Sequence, residues 1–266
     1  MTRVLSGVAL IAIAIAVVWF APPLVFLAVA ELLLVLGFHE YVTLSRASGL
    51  EVPPVAAGAA AMLTCAAFAQ AATGAGPGVS LDVVLMSALV ALGGLALVGW
   101  KGGRDAIANA AASLFASLYL GLPLGAMTAV RETRGRDALF LLMLTVIVSD
   151  TAQYYSGRLF GRRLLAPAVS PKKTIEGAIG GFVFGAGTLA VVGAWWLPTI
   201  PAAGRAVVGA TVVALGITGD LFESMLKRSA GVKDSSSLIP GHGGVLDRID
   251  ALLFAAPVYY VVLKYV

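Results

Sequence analysis

A chain of 266 residues that is 59% hydrophobic and only 12% charged, with a mean hydropathy of +0.95, lies well above the apolar content of soluble domains. Because its apolar residues fall in long runs, a soluble or disordered chain is excluded. A single cysteine, Cys65, rules out an intrachain disulfide. The net charge of +4 and pI near 9.3 fit an inner face that meets anionic headgroups, and most of that excess is topogenic. No feature points to a nucleic-acid partner.

In chain order, nine apolar runs lie near 4–20, 22–38, 55–73, 82–100, 106–130, 138–157, 175–197, 205–223 and 251–266. Each approaches the roughly 20 helical residues that cross a hydrocarbon core of about 30 Å. They are continuously apolar and rich in Ala, Leu, Val and Gly, without the dyad alternation of a membrane barrel. The expected fold is therefore all-α, a polytopic integral membrane protein with about nine transmembrane helices. The first run follows Arg3 and is reminiscent of a signal peptide. Eight further runs and a turn at Pro22-Pro23 make it an uncleaved first span.

Glu31 and Glu40 lie on or just after the second span, near its end, where headgroup water would reach them; a structural role outweighs a site there. His39-Glu40 raises the zinc-protease pattern, but residue 43 is Thr and the pattern fails. The sequence 74–78 reads as a flexible outer turn. Lys and Arg gather on the cytoplasmic side of membrane proteins. An N-terminus in the cytoplasm puts 13 of the 18 basic residues inside and leaves Arg131, Arg134, Arg136, Arg205 and Lys264 outside. The trio at 131–136 is the misfit. One integral membrane domain is expected over 1–266, with 1–137 as scaffold and 138–266 as the catalytic half, whose cytoplasmic segments are 157–176 and 223–250.

The polar residues of that second half fall into three groups. Asp150 lies about a turn or two inside the membrane edge, with Gln153 and Tyr154 on the same helical face. Lipid would not solvate such a face, so it points into the protein. A helix contact and a catalytic carboxylate explain it equally well. Next, Arg158, Arg162, Arg163, Lys172 and Lys173 precede Glu176 with no acidic residue among them. Basic side chains pair with phosphate oxygens, and Ser170-Pro171 would begin the seventh helix, whose amides add donors. Gly177, Gly181 and Gly185 repeat every fourth residue, a packing stripe for an internal helix pair or a homodimer.

The third group is the densest. Asp220 shares a helical face with Ser224 and Lys227, and Asp247 and Asp250 are three residues apart at the entry to the ninth span. Carboxylates ringed by Lys and Arg at one mouth suit a magnesium–triphosphate complex, because Mg²⁺ takes one or two carboxylates and phosphate oxygens while keeping water. The turn at 240–244 brings its backbone close to a ligand and can form an anion nest. His242 there suits a proton donor, a phosphate ligand or a turn stabiliser.

The segment 224–250 resembles the C-terminal signature of the phosphatidate cytidylyltransferase family, the CDP-diacylglycerol synthases. It matches at Ser224, Lys227, Arg228, Lys233, Asp234, Pro240, His242, Gly243, Gly244, Asp247, Arg248 and Asp250. The resemblance extends to Gly219-Asp220, to 170–177, and to Asp150 with Tyr154 and Gly157. It implies transfer of CMP from CTP to phosphatidate in the inner (plasma) membrane, with the active site facing the cytoplasm and membrane phospholipid as the surroundings. It further implies catalytic Asp220, Asp247, Asp250, Lys227 and Arg248, with Asp220 and Asp247 binding Mg²⁺, two divalent ions in all, and a monovalent cation left open. Lys172, Lys173, Ser224, Arg228, Lys233, His242, Gly243 and Gly244 would bind substrate, with Asp150, Tyr154 and Asp234 in support. Ser236 stands where many members carry Gly; a positive φ there would cost about 1 kcal/mol. The aspartate series of CDP-alcohol phosphotransferases is absent. A transporter coupled through Asp150 and Asp220 is disfavoured, because the acids gather at one surface and no inverted repeat is evident.

Overall fold

The computed structural model describes residues 2–73, 78–239, 241 and 243–266. Residues 74–77 of the expected outer turn, Pro240 and His242 lie outside the described residues, as do the side chains of 2–6 (Arg3 among them), 8, 10 and 73.

Among the described residues nine helices follow one another. They are α1 (Thr2–Phe20), α2 (Pro23–Ala47), α3 (Pro54–Thr73), α4 (Leu81–Gly99), α5 (Ala106–Arg134), α6 (Arg136–Phe160), α7 (Ile175–Trp196), α8 (Ala202–Ser229) and α9 (Leu246–Tyr265). Seven, α2 to α8, are long and apolar enough to cross a membrane. The protein is thus an all-α polytopic membrane protein. Pro23 suits the start of α2, since the first turn needs no amide from it. A π-helical turn interrupts α5 at Ser117–Gly121 and α7 at Phe182–Ala186. In α5, Gly125 admits the backbone of α3: a Cβ there would lie 2.8 Å from the Cys65 carbonyl.

The two ends of the bundle are built differently. At one end, Trp19, Phe140 and Trp196 pack edge to face, with centroids 5.8 to 6.5 Å apart. Arg131 Nε donates to the Val18 carbonyl at 3.0 Å and its guanidinium also reaches Ala21. Arg136 donates to Trp19 at 3.1 Å, and Arg134 to Leu263. Carbonyls of a last helical turn have no partner of their own and carry the negative end of the helix dipole. The trio that offends the positive-inside count therefore caps α1 and α9. Arg205 acts similarly, binding Ala190 at 3.1 Å and Ile200 at 2.7 Å around the end of α7.

At the opposite end, the last turns of α2 and α8 meet, with Ser48 Oγ 3.3 Å from Ser229 Oγ. Gly231, at φ 70°, ends α8 in the left-handed conformation that Gly adopts without strain, and Val232 N closes the cap on Lys227 O at 2.9 Å. Here the sequence expectation needs one correction. Ser170-Pro171 does not begin a helix but β2 (Ser170–Thr174), antiparallel to β1 (Leu164–Ala166). The helix starts only at Ile175 because Thr174 is the N-cap: its Oγ1 accepts from Gly177 N at 3.1 Å. Glu176 in turn accepts from the amides of Arg162 and Arg163, at 3.0 and 3.2 Å, which ties the hairpin's entry to the first turn of α7.

The glycine stripe joins α7 to α6 within the chain. A Cβ at Gly177 would lie 2.8 Å from Gln153 O, one at Gly181 2.6 Å from Gln153 Cγ, and one at Gly185 2.8 Å from Ser149 Cβ. Of the two uses open from sequence, the internal helix pair is the one observed.

Candidate active site

At the hairpin end lies a cavity of about 530 Å³. The face of α6 that carries Asp150, Tyr154 and Arg158 at four-residue intervals forms one wall. From β2 come Lys172 and Lys173, from α8 Asp220 and Lys227, and from the first turns of α9 Asp247, Arg248 and Asp250. Gly219 makes the last meeting feasible. A Cβ there would run into the Asp250 carbonyl, so only Gly lets α8 and α9 approach closely enough to set both acids in one wall.

Opposite charges hold the walls together. Lys173 Nζ lies 2.5 Å from Asp220 Oδ2, a charge contact whose angles are not those of a hydrogen bond. Lys227 Nζ bridges Asp247 Oδ1, at 2.5 Å, and Glu223. Glu223 is 0% exposed, and Lys227 is its one ionic partner among the described residues. A buried carboxylate left without that ammonium would be costly. Asp150 Oδ1 accepts from Gln153 Nε2 at 3.0 Å, and Asp250 Oδ1 from Ala251 N at 2.8 Å.

Asp247 is the most tightly held acid of the site. Its Oδ2 accepts from Ser235 N at 3.0 Å, Gly244 N at 2.8 Å and Ser235 Oγ at 2.8 Å, leaving Oδ1 with Lys227. Gly243 has φ 80°, and a Cβ there would lie 2.6 Å from Asp247 Oδ2. Gly243 and Gly244 therefore pack round a carboxylate of the protein, and neither lines the cavity.

Other residues singled out from the sequence also sit outside the cavity. Arg228 donates to the carbonyls of Val169, at 3.3 Å, and Val232, at 3.1 Å, tying the hairpin to the loop after α8. Ser224 Oγ is 3.5 Å from Asp220 Oδ1, while Lys233 and Asp234 are exposed. His242 lies outside the described residues. The strain envisaged at Ser236 does not arise, since no described residue other than Gly has a positive φ. Sequence reasoning grouped Arg158 with the basic residues of the loop, although its spacing from Asp150 and Tyr154 signals a face shared with them. It passed over Glu223, four residues before Lys227.

Three or more His, Cys, Asp or Glu side chains grouped closely enough to hold a bare metal ion do not occur among the described residues. Two of the cavity's acids, Asp220 and Asp247, are instead already paired with ammonium groups. That fits a metal arriving with phosphate, since Mg²⁺ needs only one or two carboxylates when phosphate oxygens and water fill its remaining positions.

A family model described as the cytidylyltransferase family matches residues 1–266. The chain belongs to this family. It is similar to a phosphatidate cytidylyltransferase of Mycobacterium bovis, 32% identical over 269 residues that cover 98% of this chain and 87% of the relative. It is also similar to those of Haemophilus influenzae, 48% identical over 46% of this chain and 44% of the relative, and Thermotoga maritima, 38% identical over 58% and 59%. In these last two matches the chain spans about half the relative's length. A ring of Lys and Arg over carboxylates is suited to gathering anionic phosphates.

Proposed function

We propose that the chain is a CTP:phosphatidate cytidylyltransferase, transferring CMP from CTP to phosphatidate and yielding CDP-diacylglycerol and pyrophosphate. The observation that carries this reading is a cavity at one end of a membrane-spanning bundle, where Asp150, Asp220, Asp247 and Asp250 meet Arg158, Lys172, Lys173, Lys227 and Arg248. The distribution of basic residues supports a cytoplasmic mouth, and bacterial relatives support the inner (plasma) membrane.

The chemistry asks little of proton transfer. The phosphatidate oxygen that attacks the α-phosphorus is already anionic, so bringing two polyanions together and stabilising the developing charge is the main task. Lys172, Lys173 and Arg158 flank the side where the hairpin and α6 meet, and Lys227 and Arg248 flank the other. Each set can take one phosphate-bearing substrate by charge-assisted hydrogen bonds. The acyl chains would stay in the bilayer while the headgroup enters sideways.

Mg²⁺ would be held by Asp220 and Asp247 Oδ1, with Asp250 beside them, and would supply Lewis-acid stabilisation of the α-phosphoryl and pyrophosphate oxygens. For Asp247 to serve, Lys227 must release Oδ1; it keeps Glu223 as its partner and remains poised for a phosphate. Lys173 would likewise be free to pair with phosphate once Asp220 held the metal.

The test uses CTP labelled at the α-phosphate, with phosphatidate vesicles and Mg²⁺. Label moving into the lipid fraction, dependent on all three components, is the expected result. Label released only as free CMP would indicate hydrolysis, and no reaction by folded protein would refute the reading.

A further inference from the structure

An acid bonded as heavily as Asp247 belongs to the other half of the chain. Glu40, on α2, is 2% exposed. Its Oε1 accepts from Ser236 Oγ at 2.7 Å and Val245 N at 2.9 Å, and its Oε2 from Ser235 Oγ and Leu246 N, both at 2.9 Å. Each of these partners lies about 200 residues later in sequence, in the loop between α8 and α9 or at the start of α9. A buried carboxylate is tolerated only when its oxygens are satisfied. Here the donors include two backbone amides at the positive end of α9, the place where a helix best stabilises an anion.

The same loop holds Asp247. Ser235 Oγ stands between two carboxylates, 2.9 Å from Glu40 Oε2 and 2.8 Å from Asp247 Oδ2, and has one proton to share between them. Gly244 N, next to the amide that Glu40 binds, donates to Asp247 Oδ2. A side chain at Gly244 would collide with Ser235 Oγ and both Glu40 oxygens. Ser236, where Gly was the expectation, uses its hydroxyl to bind Glu40 while accepting from Leu238 N at 3.1 Å.

We propose that Glu40 is the positioning residue for Asp247: it clamps Ser235, Ser236 and the first amides of α9, and so fixes the carboxylate that the cavity presents. This rests on the reading of that cavity as the reactive site. Glu40 touches no substrate; its role is to spare Asp247 the rotational freedom that would blunt a ligand. Outer partners that orient a site carboxylate typically contribute about 10- to 100-fold to activity or metal affinity.

The test compares wild type with Glu40→Gln, Ser235→Ala, Ser236→Ala and the Glu40→Gln/Ser235→Ala pair. Glutamine offers one acceptor where two are needed and turns an NH₂ toward donors. It should lower kcat about 10- to 100-fold and raise the Mg²⁺ concentration for half-maximal rate, with KM for phosphatidate little changed. Ser235→Ala should follow the same pattern, Ser236→Ala should cost least, and the pair should lose little more than Glu40→Gln alone.

A second readout needs no substrate. Hydrogen exchange of peptides within 235–250 should accelerate in both Glu40→Gln and Ser235→Ala, with exchange in α6 and α7 unchanged. If Glu40→Gln fails to fold, the two serine variants decide the matter by the same measurements. Unchanged exchange at 235–250, or losses that multiply in the pair, would overturn the proposal. Inactive wild type would instead sink the assignment of function and leave the exchange experiment to judge the clamp.

Discussion

Basic residues stand at both ends of this bundle, and they are used in opposite ways. Arg131, Arg134, Arg136 and Arg205 spend donors on backbone carbonyls at or near helix ends, Arg131 keeping one for Glu132. Lys172, Lys173, Lys227 and Arg248 line an open cavity, and two of them are held only by carboxylates. A guanidinium locked onto backbone is part of the scaffold. An ammonium paired with a carboxylate is exchangeable, because a metal can replace it at the acid while a phosphate replaces the acid. The difference lies in the acceptors available within the protein, which is why composition alone cannot tell one end from the other.

The largest effect should come from Asp220→Asn, which leaves Lys173 without its carboxylate and removes a ligand from the proposed Mg²⁺ site. Turnover should fall about 10³-fold, measured as label transfer to lipid, with the melting temperature nearly unchanged. Lys227→Met should both abolish activity and unfold the protein more readily, by about 3–5 kcal/mol, because it strands Glu223. Adding Glu223→Gln should restore thermal stability without restoring turnover, which separates the two duties of Lys227. Arg131→Ala breaks the comparison from the other end. It should lower stability by about 1–3 kcal/mol in a detergent melt, through unpaired carbonyls at Val18 and Ala21, while kcat and KM stay at wild-type values. The smallest signal is calorimetric: on the proposed assignment Mg²⁺ alone should bind weakly, since Lys173 and Lys227 occupy Asp220 and Asp247, and binding should strengthen when CTP is present.

Much of the fold was legible because a membrane demands long apolar helices, and each of the nine runs is found as a helix. Asp220 and the signature residues Lys227, Asp247, Arg248 and Asp250 do share one cavity, together with Asp150, Tyr154, Lys172 and Lys173. What escaped depends on contacts distant in sequence. Hydropathy ends the second span near 38, yet α2 continues to Ala47, and its extra turns carry Glu40 into the protein. No local pattern announces that its partners lie at 235–246. The hairpin at 164–174 was hidden because charged residues in a short loop carry no periodicity. Arg228, Gly243 and Gly244 match the signature as well as the cavity residues do, but their work is to hold the hairpin and to fit round Asp247. A motif records which residues a site needs without saying which of them touch the ligand.

The most direct test of the central claim is pyrophosphate release with CTP, phosphatidate and Mg²⁺, measured side by side for wild type, Asp220→Asn and Arg131→Ala, each checked for folding. The account predicts release by wild type and Arg131→Ala at similar kcat, and almost none from Asp220→Asn. Full activity in folded Asp220→Asn, or loss of activity in folded Arg131→Ala alone, would contradict it, because the chemistry would then lie away from the cavity between the hairpin and α9.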